Sequence, residues 1–126
     1  MKARIRNVWD RLFYKPEPLG SGIYQKYINI EGQAPFRAHL RIEKDGNGIL
    51  ILNARTVLHL NQTATEYARH LLVDTPTEKV AQEISKRYRI SSEQALADYK
   101  EFVNKLEVLR DTPDLDPEIF LDFDRV

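Results

Sequence analysis

Hydrophobic and polar residues alternate most regularly over residues 36–43, which predicts a β-strand with one buried face and one solvated face. The hydrophobic positions of this strand are Phe36, Ala38, Leu40 and Ile42. The next turn, Asp-Gly-Asn-Gly at 45–48, favours a tight hairpin because glycine and asparagine tolerate positive φ angles. We therefore predict that residues 49–52 and 56–60 form the second and third strands, and that residues 23–30 form a possible extra strand.

The hydrophobic period changes from two to about 3.6 residues after the third strand, which predicts three helices. Asn61 or Thr63 can cap the first helix, and Glu66 would complete a capping box with Thr63. The second helix is predicted to follow Thr75, with a proline at its first position, and the third to follow Ser91. Strands followed by helices indicate an α+β fold. We expect a winged-helix-like domain, in which a three-stranded antiparallel sheet precedes a three-helix bundle.

Charged residues are unevenly distributed, although the net charge is zero with 19 Lys and Arg against 19 Asp and Glu. Residues 1–15 contain five basic residues and one acidic residue, whereas residues 111–126 contain six acidic residues and one basic residue. This asymmetry indicates a basic N-terminal arm and an acidic C-terminal tail on a nearly neutral core. We predict that the arm and the tail are docking segments, which pair with each other or with a partner enzyme.

The N-terminal arm has the pattern of a short amphipathic helix over residues 2–15. At about 14 residues this helix would be marginal alone in water, so we expect it to dock on its own domain or on a partner. Its candidate docking residues are Trp9, Leu12 and Phe13. A membrane surface is the less favoured partner, because one short helix lacks a second anchor.

Several kinds of catalytic site lack the residues that they require. The chain contains no cysteine, which excludes disulfides, thiol catalysis, zinc–cysteine sites and iron–sulfur clusters within it. It has neither a G-x-S-x-G motif nor a phosphate-binding glycine loop. The three histidines, His39, His59 and His70, lack the spacing of metal ligands. We therefore expect a protein that is not an enzyme and that uses no cofactor and no metal.

The sequence also lacks membrane segments and secretion signals. Its longest apolar run, residues 49–52, is far shorter than the roughly 18 residues that span a bilayer. We expect a cytoplasmic protein without membrane contact.

DNA binding is the main alternative function, because three helices beside a β-hairpin are typical of DNA-binding domains. The second predicted helix is the most basic. Its basic residues are Lys79, Lys86, Arg87 and Arg89. However, the helix dipole also favours basic residues at a helix C-terminus, and the balanced charge of the chain argues against nucleic-acid binding.

Three segments resemble the PqqD family, whose members are peptide chaperones of pyrroloquinoline quinone biosynthesis and related leader-peptide recognition elements. Residues 60–64, Leu-Asn-Gln-Thr-Ala, are similar to the junction between strand and first helix in that family. Residues 80–88 and 95–109 are similar to its second and third helices. The resemblance covers residues 36–109 and departs at Asp74-Thr75-Pro76, where the family often has Asp-Gly.

This resemblance divides the chain into four expected parts. They are the arm at 1–15, a connecting segment at 16–35, the PqqD-like domain at 36–110 and the acidic tail at 111–126.

The resemblance implies a non-catalytic adaptor that binds the leader of a precursor peptide and presents it to a radical SAM enzyme, separate or fused. The leader would add as a strand to the free edge of residues 56–60 and lie against the third helix. Replacing Leu58 with proline would then remove an edge N–H group. The candidate peptide-binding residues are Thr56, Val57, Leu58, His59 and Leu60 on the strand and Leu96, Tyr99, Lys100 and Val103 on the helix.

Two further interpretations remain open at this point. Core packing explains the apolar residues of the third helix better than a groove does. The domain could also be a structural docking module that binds a partner enzyme and no peptide.

Overall fold

The structure is a computed structural model that describes residues 16–28, 36–53, 56–111 and 118–121. These residues form an α+β fold, as the separation of strands from helices predicts. The strands are β1 (Gly22–Ile28), β2 (Phe36–Ile42), β3 (Gly48–Leu52), β4 (Thr56–Leu60) and β5 (Glu118–Leu121). The helices are α1 (Gln62–Leu72), α2 (Thr77–Tyr88) and α3 (Ser92–Asp111).

The described strands form one sheet in the order β1-β2-β3-β4-β5. Strands β1 to β4 pair antiparallel, whereas β5 pairs parallel with β4. The predicted three-stranded sheet is therefore too small by two strands. The possible strand at 23–30 is present as β1, but the strand in the acidic tail was not predicted. Its four residues, Glu-Ile-Phe-Leu, show no alternation of their own, and their partner strand lies about sixty residues earlier in the chain.

Helix α1 packs on the sheet and contacts β1, β2, β3 and β4. Alternate residues of the strands face this helix and are almost fully buried, as the period of two predicts. They are Ala38, Leu40, Ile42, Leu50, Leu52, Leu58 and Leu60. Tyr67 of α1 joins this core to α3, because its ring lies 5.7 Å from that of Tyr99 and 5.9 Å from that of Phe102, measured between centroids.

The hairpin between β2 and β3 has the predicted turn. Gly46 has a φ of +91°, and a Cβ atom there would lie 2.8 Å from the Cβ of Pro18. A Cβ atom on Gly48 would lie 2.7 Å from the Thr65 hydroxyl of α1. Glycine is therefore required at residue 46 by both conformation and space, and at residue 48 by the close approach of α1 to the sheet.

Two of the three predicted helix starts are confirmed. Asn61 caps α1 by accepting a hydrogen bond from the Ala64 N–H at 3.0 Å, and the Ser91 hydroxyl accepts one from the Gln94 N–H at 3.1 Å. The predicted start of α2 is wrong by one residue, because Pro76 is the N-cap and no side chain caps the helix.

The predicted capping box between Thr63 and Glu66 is also wrong, because the Glu66 carboxylate is buried and points to α2 instead. Arg87 donates to it from Nη2 at 2.7 Å, and the Tyr88 hydroxyl donates to the same oxygen at 2.7 Å. Burial, and then the Glu66 charge, raise the pKa of Tyr88 far above its ordinary value. Arg87 also donates to the Glu17 carbonyl at 2.8 Å, so this cluster ties α1, α2 and the segment before β1 together.

Replacing Arg87 with leucine should destabilise the fold by about 3 kcal/mol, because the Glu66 carboxylate would stay buried without its counter-charge. Urea unfolding of the two proteins measures this loss. Lys86→Leu is the matched control, since Lys86 is exposed one residue earlier in α2, and it should change stability by less than about 0.5 kcal/mol. Equal effects of the two substitutions would contradict a structural role for the cluster.

Candidate functional site

Two hydrogen bonds, one at each end of the β2–β3 pair, show which neighbouring strand the N–H and C=O groups of each sheet residue face. The Glu43 N–H donates to the Asn47 carbonyl at 2.8 Å, and the Asn53 N–H donates to the Arg37 carbonyl at 2.9 Å. In the register of these strands both are directly opposed pairs. Because hydrogen-bonded pairs alternate along antiparallel strands, residues 49 and 51 bond to β2 and residues 48, 50 and 52 bond to β4.

The same alternation continues into β4. Leu50 is opposite Leu58, so the N–H and C=O groups of Thr56, Leu58 and Leu60 point to β3. The N–H and C=O groups of Val57 and His59 point to the other side of β4, and we call these four groups the outward edge of β4. The expectation that proline at Leu58 would remove an edge N–H is therefore wrong, because that N–H belongs to the β3–β4 pair.

Strand β5 lies along this outward edge. Its register pairs Val57 with Glu118, Leu58 with Ile119, His59 with Phe120 and Leu60 with Leu121. The sequence-based expectation of a free edge at residues 56–60 is thus corrected, since β5 and not β4 ends the described sheet on this side. In parallel pairing, His59 bonds to the residues on either side of Phe120. The N–H groups of Ile119 and Leu121 therefore point to β4, and the N–H of Phe120 points away from it.

The two faces of β4 have different surroundings. Leu58 and Leu60 face the core and are 0% and 3% exposed, and Thr56 lies on the same face but is half-buried. Val57 and His59 lie on the opposite face and are half-buried. The register places Val57 beside Ile51 of β3 and His59 beside Ile49. A strand added to the outward edge therefore has one face toward the core side and one toward the opposite side of the sheet.

The four candidate residues on α3 lie in three different environments. Tyr99 is 5% exposed and packs against Tyr67, and burial raises its pKa. Leu96 and Val103 are half-buried against the margin of the core, and Lys100 is exposed. Residues 96, 100 and 103 follow helical spacing, so they share one stripe of α3. The candidate docking residues Trp9, Leu12 and Phe13 lie outside the described residues.

Sequence reasoning missed Glu118–Leu121, the segment that occupies the outward edge. The available signal was the apolar run Ile-Phe-Leu within an otherwise acidic tail. Such a run is short enough to be a strand, but its partner cannot be read from local pattern.

His70, the most buried histidine described, has a structural position. Its Nδ1 lies 3.0 Å from the Thr75 hydroxyl, and its Nε2 lies 3.4 Å from a carboxylate oxygen of Glu83. Burial lowers the pKa of His70 from its ordinary value of 6.5, and the Glu83 charge opposes this shift. The ring therefore joins α1 to α2 and to the turn between them.

Metal chemistry and membrane insertion find no support in the described ranges. Among these residues, no three His, Asp or Glu side chains are grouped so that they could hold a metal ion. Within the same ranges, no helix combines the length and the apolar character needed to cross a membrane.

The fold and the outward edge define a small α+β domain in which a fifth strand, β5, pairs parallel beside the last antiparallel strand. Residues 48–109 match the family described as Coenzyme PQQ synthesis protein D (PqqD). This part of the chain, from β3 to near the end of α3, is a PqqD-family domain. The match begins later than the expected residue 36 and leaves out β1 and β2. Comparison with curated proteins and with solved structures gave no match.

The matched family has a general role. PqqD is a non-catalytic accessory family in peptide modification, and its members generally work with a peptide and a partner enzyme.

The pKa of His70 makes stability depend on pH. The unfolded chain binds a proton at this histidine more readily than the folded chain does, so its contribution is present above pH 6.5 and is lost as the pH falls below that value. Urea unfolding at pH 7.5 and at pH 5.5 should show a larger loss of stability for the wild type than for His70→Gln. Equal losses would show that burial of this imidazole does not govern acid stability.

Proposed function

We propose that this domain binds the leader of a precursor peptide by strand addition at the outward edge of β4, and presents the peptide to a radical SAM modifying enzyme. The observation that carries the proposal is that the outward edge receives a strand within this same chain, since β5 pairs there over four residues. A backbone edge that pairs with β5 has the donors and acceptors that a leader strand would need. The PqqD match independently favours a peptide as the ligand.

The proposed contacts of the leader divide into backbone and side-chain contacts. Val57 and His59 supply the hydrogen bonds, because their N–H and C=O groups form the outward edge. On the core-facing side, alternate side chains of an added strand would lie beside Thr56, Leu58 and Leu60, of which Leu58 and Leu60 are themselves buried in the core.

On the helix side, Leu96 and Val103 are the proposed apolar contacts, because they are half-buried at the margin of the core. Lys100 lies on the same stripe and is exposed, so it would attract an acidic leader. Tyr99 would act from within, by holding α3 against Tyr67.

The rest of the proposal concerns partners and location. The arm at 1–15, with Trp9, Leu12 and Phe13, is the proposed contact with the radical SAM enzyme, separate or fused. The adaptor itself performs no catalysis in this account and acts in the cytoplasm.

The winged-helix likeness and a role in DNA binding have weaker support than peptide binding does. Arg87, one of the four basic residues that favoured DNA binding, is engaged by the buried Glu66 and by the Glu17 carbonyl. This removes part of the charge that a recognition helix would direct to phosphates.

Substituting Val57 with proline tests the peptide site. The substitution removes an N–H group of the outward edge but leaves the β3–β4 hydrogen bonds intact, so the domain should fold while leader affinity falls about tenfold or more. Fluorescence anisotropy measures the affinity, and the probe is the labelled leader of a precursor peptide identified by searching the open reading frames near this gene.

Val57→Thr is the matched control, because threonine keeps both the N–H group and the β-branched shape. It should bind the leader nearly as well as the wild type. Unchanged affinity in a folded Val57→Pro variant would place the peptide elsewhere.

A further inference from the structure

The edge proposed for the leader is already paired in this chain. Strand β5 lies opposite Val57, Leu58, His59 and Leu60, which is four of the five residues of β4. A strand has only two edges, and β3 holds the other edge of β4 along its full length. Strand β5 and an added leader therefore compete for the same backbone groups of Val57 and His59.

We propose that β5 is an internal competitor that must leave the outward edge before a leader can bind. This inference rests on the proposed function, because it needs the leader to use the same edge. It also states the chemistry of the favoured leader: a short extended segment of consecutive apolar residues preceded by an acidic residue, as in Glu118–Leu121.

The geometry makes β5 suited to release. It has four residues, and it pairs in parallel, which is slightly weaker per residue than antiparallel pairing. It is the last strand of the described sheet, so its departure leaves the β1–β4 pairs in place. The segment can leave without breaking the fold that presents the site.

The chain connection makes β5 an effective competitor despite its short length. Helix α3 ends at Asp111 and β5 begins at Glu118, so a short connection holds the segment near the edge. A short tether gives an effective concentration in the millimolar range, which an added peptide must overcome. The tail thus raises the threshold for weak or unrelated peptides, while a well-matched leader still displaces it.

Register identifies the substitutions that release β5. The N–H groups of Ile119 and Leu121 point to β4, whereas that of Phe120 points away. The double variant Ile119→Pro/Leu121→Pro in the full chain therefore removes the donors of β5, and Phe120→Pro is the matched control, since proline is tolerated on the open side of an edge strand. Circular dichroism and thermal unfolding verify that both variants fold.

The first probe is a fluorescein-labelled synthetic peptide with the sequence of residues 114–124, added to each protein and followed by anisotropy. We expect the double variant to bind it about tenfold or more tightly than the wild type, and Phe120→Pro to bind it like the wild type. Amide hydrogen exchange at Val57 and His59, measured without any peptide, should be faster in the double variant alone. Equal peptide affinity, or equal exchange, in the double variant and the wild type would overturn the inference.

The second probe is the labelled precursor leader used to test the peptide site, which separates this inference from the proposed function. Tighter leader binding by the double variant than by the wild type supports both. Equal leader binding by the two proteins overturns the internal competitor and leaves the proposed function standing. If the double variant binds the tail peptide but neither protein binds a leader, the proposed function fails, and with it the competition.

Discussion

The backbone of β4 forms hydrogen bonds on two sides, and its alternate residues divide between them. Thr56, Leu58 and Leu60 bond to β3, so Val57 and His59 must find partners on the other side. Buried or half-buried peptide groups are costly to leave unpaired. This requirement explains why β5 pairs where it does, and it is the physical basis of the proposed peptide site.

The remaining structure keeps that edge in position. Alternate strand residues such as Leu50 and Leu58 attach the sheet to α1, and Tyr67 attaches α1 to α3. The buried Glu66, paired with Arg87, locks α2 onto α1. These contacts lie on the core side of β4. They do not involve its outward edge, where β5 would exchange with a leader strand in the proposed mechanism.

The local sequence pattern was enough to predict those elements that are stabilised by residues close together in the sequence. The alternation over residues 36–43, the glycine turn at 45–48 and the Ser91 cap all depend on neighbours in sequence. The role of Glu66 was mistaken because its spacing from Thr63 fits a capping box, while its actual partner lies on the next helix. The position of β5 was missed because pairing with β4 is a long-range contact, and no periodicity within four residues reveals it. The assignment of the outward edge to Val57 and His59 needed the hydrogen-bond register, which sequence does not contain.

In the proposed complex the leader pairs with the backbone of Val57 and His59. Isotope-filtered NMR on the ¹⁵N-labelled full chain, saturated with the same precursor leader in unlabelled form, is the decisive measurement. We expect intermolecular contacts from leader backbone protons to the amide protons of Val57 and His59, and none to those of Thr56, Leu58 or Leu60. Leader contacts at the outer edge of β1, the other end of the described sheet, or contacts confined to residues outside the sheet, would contradict this pairing.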